Sequence, residues 1–426
     1  MMQPVLETSN ALIFQSTFLT EGLAAAIAML TVPLLTDLAV CIAGNLRRGG
    51  KANTAKLREI RLAVVVPAHD EEAMIARTVQ SLLRAGCASS LPHIAGDGAA
   101  AACGVPWHVP VIVVAHNCTD RTAAVAAAAG ARVVELNHVE MRGKAVALRS
   151  GFEVARAVGA NAFLVVDADS VASPNLIAAS TIVLERGAAA TQCRYELELP
   201  RSRPATSLER LRVLAFRGIN VLRPRGRASL GFSAGIFGNG FAVTDETLQR
   251  VPFTVDSICE DLEYHVRLVL ARQRVAWVED AYVHAPLAPV RSAQAMQEAR
   301  WEGGRFHVAT RATGRLLAAM ARGNWRAFEM LAEAWSLPIS RGVLALILAA
   351  FLPLHWLHVS AIAGAALVVA YVLEAVFLGD NPWRDLAALA GAPLHILWKL
   401  AITPLVLRHS RGSAEWARTH REAQTP

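Results

Sequence analysis

The chain has 426 residues, enough for one large domain or two ordinary ones, and is 54% hydrophobic but only 18% charged, below the roughly 25% charged content of soluble domains. Its net charge of +7 gathers beside two apolar blocks, near residues 12–44 and 336–407. Arg47, Arg48, Lys51, Lys56, Arg58 and Arg61 follow the first, and Arg408, Arg411, Arg418 and Arg421 follow the last. This placement reads as positive-inside flanks rather than a nucleic-acid footprint, though an anionic substrate would also welcome it, while six scattered cysteines without a C-x-x-C pair argue against a zinc site or a disulfide framework.

The N-terminus has no basic n-region, Glu7 and Glu21 precede the first apolar block, and the arginines follow it. Residues 1–45 therefore read as an uncleaved anchor with its N-terminus outside, residues 23–43 being long enough to cross a bilayer at the ~20 residues a helix needs. Residues 46–61 read as a basic linker. Residues 62–67 (Leu-Ala-Val-Val-Val-Pro) form a short apolar run without alternation, the pattern of a parallel strand buried on both faces. Helical spacing follows over 71–83. Residues 87–110, rich in Gly, Ala, Pro and Ser, read as an insertion. A second strand is expected at 111–114, a helix at 120–129, a third strand at 133–134, a helix at 144–158 and a fourth strand at 163–166. Strand and helix alternate from 62 to about 190, the mark of an α/β domain with a mostly parallel sheet, whose ligands bind beyond the carboxyl ends of the strands.

The catalytic region is expected over 62–304, with amphipathic interface helices over 305–336. The second apolar block, 337–408, divides into 337–357, 359–378 and 386–407. The first two read as a transmembrane hairpin. The third, carrying His395, Trp398 and Lys399, reads as an interfacial helix. An even number of crossings then leaves the basic tail, 409–426, on the same side as the catalytic domain.

Chemistry-bearing residues fall at the strand ends. Asp167-Ala168-Asp169 follows the apolar run Phe-Leu-Val-Val. In an extended chain residues i and i+2 point to one side, so two carboxylates would offer hard oxygens to Mg²⁺ or Mn²⁺, with substrate phosphates completing the shell. Cys259-Glu260-Asp261 precedes an amphipathic helix over 262–270. Its acids read either as a general base for an acceptor hydroxyl or as favourable charge against the helix dipole. Gln297, Arg300 and Trp301, at i, i+3 and i+4, share a helix face: Arg suits phosphate and Trp a sugar ring, while the same residues suit a membrane surface. Arg142-Gly143-Lys144 opens a helix where a phosphate could sit, or is a solvated basic turn. Gly238-Asn239-Gly240 allows close backbone approach, to a ligand or simply in a turn.

Together these motifs resemble the family-2 glycosyltransferases, inverting enzymes of the GT-A fold that include cellulose, chitin and hyaluronan synthases. The resemblance covers residues 60–310, with a looser match beyond. It implies a GT-A α/β domain flanked by transmembrane and interfacial helices. Val-Val-Pro-Ala-His-Asp-Glu-Glu (65–72) is similar to the opening strand and nucleotide-contacting loop, which implies donor contacts from Pro67, His69 and Glu71. The D-x-D pattern implies metal binding by Asp167 and Asp169. The E-D pair implies that Asp261 is the catalytic base beside Glu260. Q-x-x-R-W implies a donor diphosphate contact for Arg300 and acceptor contacts for Gln297 and Trp301, with Gly238 and Asn239 also toward the acceptor. Lys144, Asp120, Asp167 and His116 complete the implied donor site.

One position departs from the family pattern. His116, in Ala-His-Asn-Cys-Thr-Asp (115–120), stands where an acid usually contacts the base, so the nucleotide carrier, UDP or GDP, is left open. Asn220-Val-Leu-Arg-Pro, Trp398-Lys-Leu and Glu415-Trp-Ala-Arg-Thr resemble a bacterial exopolysaccharide and envelope-glycan subgroup. The resemblance thus implies an inner-membrane hexosyltransferase acting on a nucleotide sugar and a lipid-linked or growing glycan, alongside assembly or export proteins. The competing readings are a processive polysaccharide synthase and a non-catalytic nucleotide-sugar-binding subunit of an export complex.

Overall fold

The computed structural model describes residues 3–47, 57–89, 108–138, 143–201, 203–255, 257, 259–287 and 291–410, with backbone only for 3–18, 88–89 and 291–293. Among the described residues eight strands make one sheet: β1 (Leu62–Ala68), β2 (Val111–His116), β3 (Arg132–Leu136), β4 (Ala162–Val165), β5 (Val171–Ala172), β6 (Ala190–Glu198), β7 (Phe241–Thr244) and β8 (Val275–Pro286), in the order β3-β2-β1-β4-β7-β6-β8-β5. The β3-β2, β2-β1, β1-β4 and β6-β8 pairings are parallel, and β4-β7, β7-β6 and β8-β5 are antiparallel. The α/β class with a mostly parallel sheet is as expected.

The apolar runs are explained by two cores, one on each face of the sheet. Leu62, Val64 and Val66 of β1, with Leu164 of β4, enter one core under the helices Ile75–Ser89 and Leu176–Glu185. Ala63 and Val65, with Phe163 and Val165, enter the other under the helices Lys144–Ala157 and Glu260–Leu270. A strand covered on both faces needs no polar alternation. Gly151 lets the helix Lys144–Ala157 lie against β1, since a Cβ there would stand 2.3 Å from Val65 Cγ1. That close approach delivers Lys144, at the helix start, to the sheet's carboxyl edge.

Several element bounds differ from the expectation. The helix expected over 71–83 runs Ile75–Ser89. Most of the expected insertion, 90–107, lies outside the described residues, as do 48–56 of the linker, Arg142 and the tail 411–426. A single helix, Arg291–Ala321, runs through position 304, so no chain break marks the expected division there.

The N-terminal helix spans Gln3–Leu46, of which Leu19–Leu46 is long and apolar enough to cross a membrane, as is His355–Phe377. The expected segment 337–357 is broken: Ile339–Phe351 is 13 residues, about 20 Å at 1.5 Å per residue, and meets Arg326–Trp335 at 81°. The third segment is the helical run Pro382–Ala401 bent by 46° against Thr403–His409. Counting each bent pair as one span gives up to four among the described residues.

Candidate active site

The parallel register of β1, β2 and β4 brings three loops to one edge. After β1 and β2 the loops are laced by acids that bond to each other's backbone. Asp70 Oδ1 accepts from Thr119 N at 2.6 Å, and Asp120 accepts from Glu72 N at 3.1 Å and Thr122 N at 2.9 Å. Glu71 N donates to Thr122 Oγ1 at 2.7 Å, and His69 Nδ1 lies 2.8 Å from His116 O. Asp70 and Asn117 adopt left-handed φ of 53° and 51°, a conformation that Asp and Asn tolerate better than most residues.

This lacing changes two expectations. The His116 side chain is buried, 1% exposed, so it does not present its ring to a ligand as the departing motif implied. The Asp120 carboxylate is engaged by the loop backbone. Among the described residues Asp70, Cys118 and Asp120 are the one trio of His, Cys, Asp or Glu ligand atoms within 4.8 Å of one another, and their hydrogen bonds hold the two loops together.

At the end of β4 the chain turns at once: Ser170 N donates to Asp167 O at 3.1 Å. Asp167 and Asp169 therefore sit on a β-turn and not on an extended segment as expected, and they differ in burial. Asp169 is 4% exposed, with Ser170 Oγ donating to its Oδ1 at 3.3 Å. Asp167 is more open, and its Oδ1 receives the Lys144 ammonium at 2.5 Å.

The loop Phe237–Gly240 clamps this turn. Asn239 Oδ1 accepts from Asp167 N at 3.0 Å and its Nδ2 donates to Ser170 Oγ at 2.8 Å. Gln192 of β6, fully buried, donates to Asn239 O at 2.8 Å and accepts from Phe237 N at 3.0 Å. Lys144 Nζ also donates to Gly238 O at 2.7 Å. Asn239 is itself fully buried, so it positions the turn rather than meeting an acceptor. Gly238 has φ +74°, and a Cβ there would stand 3.4 Å from both Asp261 Oδ2 and Lys144 Nζ. The sequence marked Gly238 and Lys144 separately, and the fold makes them neighbours of Asp261.

Glu260 and Asp261 lie inside the first turn of their helix, Glu260–Leu270, and not before it as expected. Tyr264 and Leu268 fix that helix against the sheet. Burial raises both acids: Glu260 is pushed up to about 7 despite Lys144, with Asp261 and Asp167 adding to the rise, and Asp261 is raised above the usual carboxylate range. Burial alone would pull the Lys144 ammonium down, but Asp167, Glu260 and Asp261 together hold it above its ordinary value. It is a cation throughout the physiological range.

The Gln297, Arg300 and Trp301 face is on the helix Arg291–Ala321. The Cys259 thiol donates to Trp301 O at 3.6 Å, and a Cβ on Gly304 would stand 2.4 Å from Cys259 Sγ, so this helix lies directly on the segment bearing Glu260 and Asp261. Burial lowers the Arg300 guanidinium, and the Glu260 carboxylate opposes that shift. Trp301 is 41% exposed, its ring 6.1 Å from that of Phe216, which packs edge-on to Tyr195 at 4.9 Å.

Tyr195, Gln192 and Asp70 lie against these residues and were not singled out by the motifs. Burial, then the Asp167 carboxylate, raises the Tyr195 phenol. Gln192 carried a usable signal, a polar amide inside an otherwise buried strand. Tyr195 carried none.

Residues 97–304 match the family model described as glycosyltransferase like family 2. No curated protein matches the chain. Among solved structures, the chain is similar to a mannosyltransferase from Pyrobaculum calidifontis in complex with GDP-Man and Mn2+, at 18% identity over 89% of this chain and 99% of that one, with a TM-score of 0.48. It is also similar to glucosyl-3-phosphoglycerate synthase from Mycobacterium tuberculosis, at 22% identity over 56% of this chain and 75% of that one, with a TM-score of 0.36.

Proposed function

We propose that this chain, whose residues 97–304 match the family-2-like glycosyltransferase model, is a membrane-attached inverting enzyme that moves a sugar from a nucleotide-sugar donor to a lipid-linked or growing glycan. The observation that carries the reading is the meeting of Asp167, Lys144, Gly238 and Asp261 at one corner of the sheet, with Lys144 bonded to both Asp167 and the Gly238 carbonyl.

Asp261 is the base in this reading. Its raised pKa makes it a stronger proton acceptor than a solvated carboxylate, and it takes the acceptor hydroxyl's proton as that oxygen attacks the anomeric carbon. Lys144 and Arg300 supply positive charge toward the departing diphosphate. Trp301, half-exposed beside Phe216, offers an aromatic face to an acceptor sugar. Pro67, His69 and Glu71, at the laced loops, border the nucleotide. Gln297 lies one turn before Trp301 on the same helix.

The donor set fits Mg²⁺ or Mn²⁺. Asp167 and Asp169 offer hard oxygens, and Asp167 already holds a cation, the Lys144 ammonium. Asp167, Asp169, Glu260 and Asp261 outnumber Lys144 and Arg300, and the raised Glu260 records that imbalance together with burial. When bound, the ion would neutralise charge on the diphosphate leaving group.

Membrane attachment is supported by Leu19–Leu46 and His355–Phe377. It is also supported by exposed Trp325, Phe328, Trp356 and Trp383, residues that suit a bilayer boundary. The basic residues after the anchor support a catalytic domain on the cytoplasmic side of a bacterial inner membrane. Transfer of labelled sugar by membranes carrying the full-length chain tests the activity. Asp261→Asn is expected to lower kcat by about 10²–10⁴-fold, and activity near wild type in that variant would sink the assigned mechanism. Product length under donor excess separates single addition from processive synthesis.

A further inference from the structure

A second charged cluster lies away from the strand ends, and the transfer reaction does not use it. Its centre is Arg227, whose side chain is 1% exposed. Arg227 meets three carboxylates: Asp37 Oδ1 at 2.7 Å, Glu329 Oε1 at 2.8 Å and Glu333 Oε2 at 2.5 Å. The other oxygen of Asp37 pairs with Arg223, also buried. Asp37 belongs to the N-terminal apolar helix, Arg223 and Arg227 to the helix Arg223–Ser229, and Glu329 and Glu333 to the helix Arg326–Trp335. Desolvation costs several kcal/mol per ion, and apolar residues would stabilise such a junction as well or better. A cluster of this kind can fix how helices meet.

What it fixes here can be traced outward. His265 Nδ1 lies 3.8 Å from Glu333 Oε2, and its Nε2 lies 2.8 Å from Ser233 Oγ. His265 follows Asp261 by four residues in one helix, so the two share a face one turn apart. Arg305 Nη2 donates to Glu333 O at 2.7 Å, and Arg305 follows Arg300 in the helix Arg291–Ala321. The two helices that bring Asp261 and Arg300 to the reaction are thus held at Glu333. The anchor is locked to the same junction by backbone contact: a Cβ on Gly44 would stand 1.9 Å from Gly226 O, and one on Gly226 would stand 2.3 Å from Cys41 O.

We propose that Asp37 of the anchor helix is a positioning residue for sugar transfer, acting through Arg227 and Glu333 on His265 and so on the helix that carries Asp261. The anchor is then a part of the catalytic assembly and not a tether. The proposal rests on the reading of Asp261 as the base.

The test uses the full-length protein in lipid nanodiscs, with steady-state transfer measured well below its thermal transition. Asp37→Asn removes the charge and keeps the shape. His265→Gln keeps a partner for Ser233, drops the contact with Glu333 and exchanges one neutral side chain for another. Each variant is expected to lower kcat by about 10- to 100-fold, the cost of a small misplacement of a catalytic group, while donor KM stays within about twofold. The double variant Asp37→Asn with Arg223→Gln removes one charge of each sign and is expected to recover most of the lost kcat.

Wild-type kcat per folded molecule in either single variant, with a lowered melting temperature alone, would overturn the proposal. If Asp37→Asn fails to accumulate, His265→Gln decides by the same criterion. Asp261→Asn is run alongside. Its retained activity refutes the base assignment. Its inactivity with wild-type kcat in His265→Gln refutes only the coupling.

Discussion

Glu260 makes the active site a source of instability, and removing its charge should show this. Its carboxyl is raised from 4.5 to about 7, first by burial. An acid raised in the folded state holds its proton more tightly there than in the unfolded chain. Folding is therefore penalised above the folded pKa, and the penalty fades as the pH falls toward the unfolded value. At about 1.4 kcal/mol per pKa unit, this shift is worth up to about 3 kcal/mol at pH 8 and about 1 kcal/mol at pH 5. Glu260→Gln keeps the side chain's size and removes the charge. In EDTA it should melt several degrees above wild type at pH 8 and close to it at pH 5, while transferring sugar more slowly. Added Mn²⁺ should narrow the pH 8 gap, because a bound cation offsets the same negative charge. Calorimetry or tryptophan-monitored melting of the full-length chain reads the effect. Equal or lower stability of the variant at pH 8 would refute the assignment of Glu260 as a buried, charge-crowded acid. It would also remove the electrostatic argument for a divalent ion.

Asn239→Ala strips partners from Asp167 N and Ser170 Oγ in a fully buried position. It should cost about 2–3 kcal/mol and lower kcat, read by melting and by steady-state transfer. Lys144→Met removes the cation bonded to Asp167 and should reduce kcat/KM for the donor by about a hundredfold; an unchanged value would leave Lys144 without a role in catalysis. Gly226→Ala forces a Cβ into the Cys41 carbonyl, whereas Gly22→Ala meets nothing within 4 Å. The first should destabilise the full-length chain by about 1–3 kcal/mol and the second should leave its melting temperature unchanged. Burial raises Asp261 above the usual carboxylate range, so kcat should fall toward acid pH sooner than a solvated carboxylate would dictate. An acid limb no higher than that of a solvated carboxylate would contradict it.

The strands were legible because burial on both faces turns a strand into an uninterrupted apolar run, and β1, β2 and β4 are such runs. The acids at their ends were legible for the same reason: polar residues that abruptly close an apolar run mark the edge where ligands bind. Asp167 could thus be marked from its place just after β4, whereas Asp261 and the Arg300 face lie on helices and were marked by their order behind it. The local geometry was less legible. The D-x-D pair was expected on extended chain, but Ser170 turns back on Asp167. His116 was expected to face a ligand, but it is buried where β2 ends.

Residue type and spacing determined which chemistry the chain can carry, because strand and helix periodicity, turn residues and acids beside apolar runs are local properties. Tertiary structure alone decided who meets whom. Lys144 pairs with Asp167 and Gly238 across 23 and 94 residues, and Asp37 with Arg223 and Arg227 across 186 and 190. Asp37 shows the difference most clearly. In sequence it merely interrupts an apolar helix. In the fold its charge is sustained by two buried arginines, because an ion in a low-dielectric interior persists only beside its counter-ions, and those were set by the packing of helices far apart in the chain.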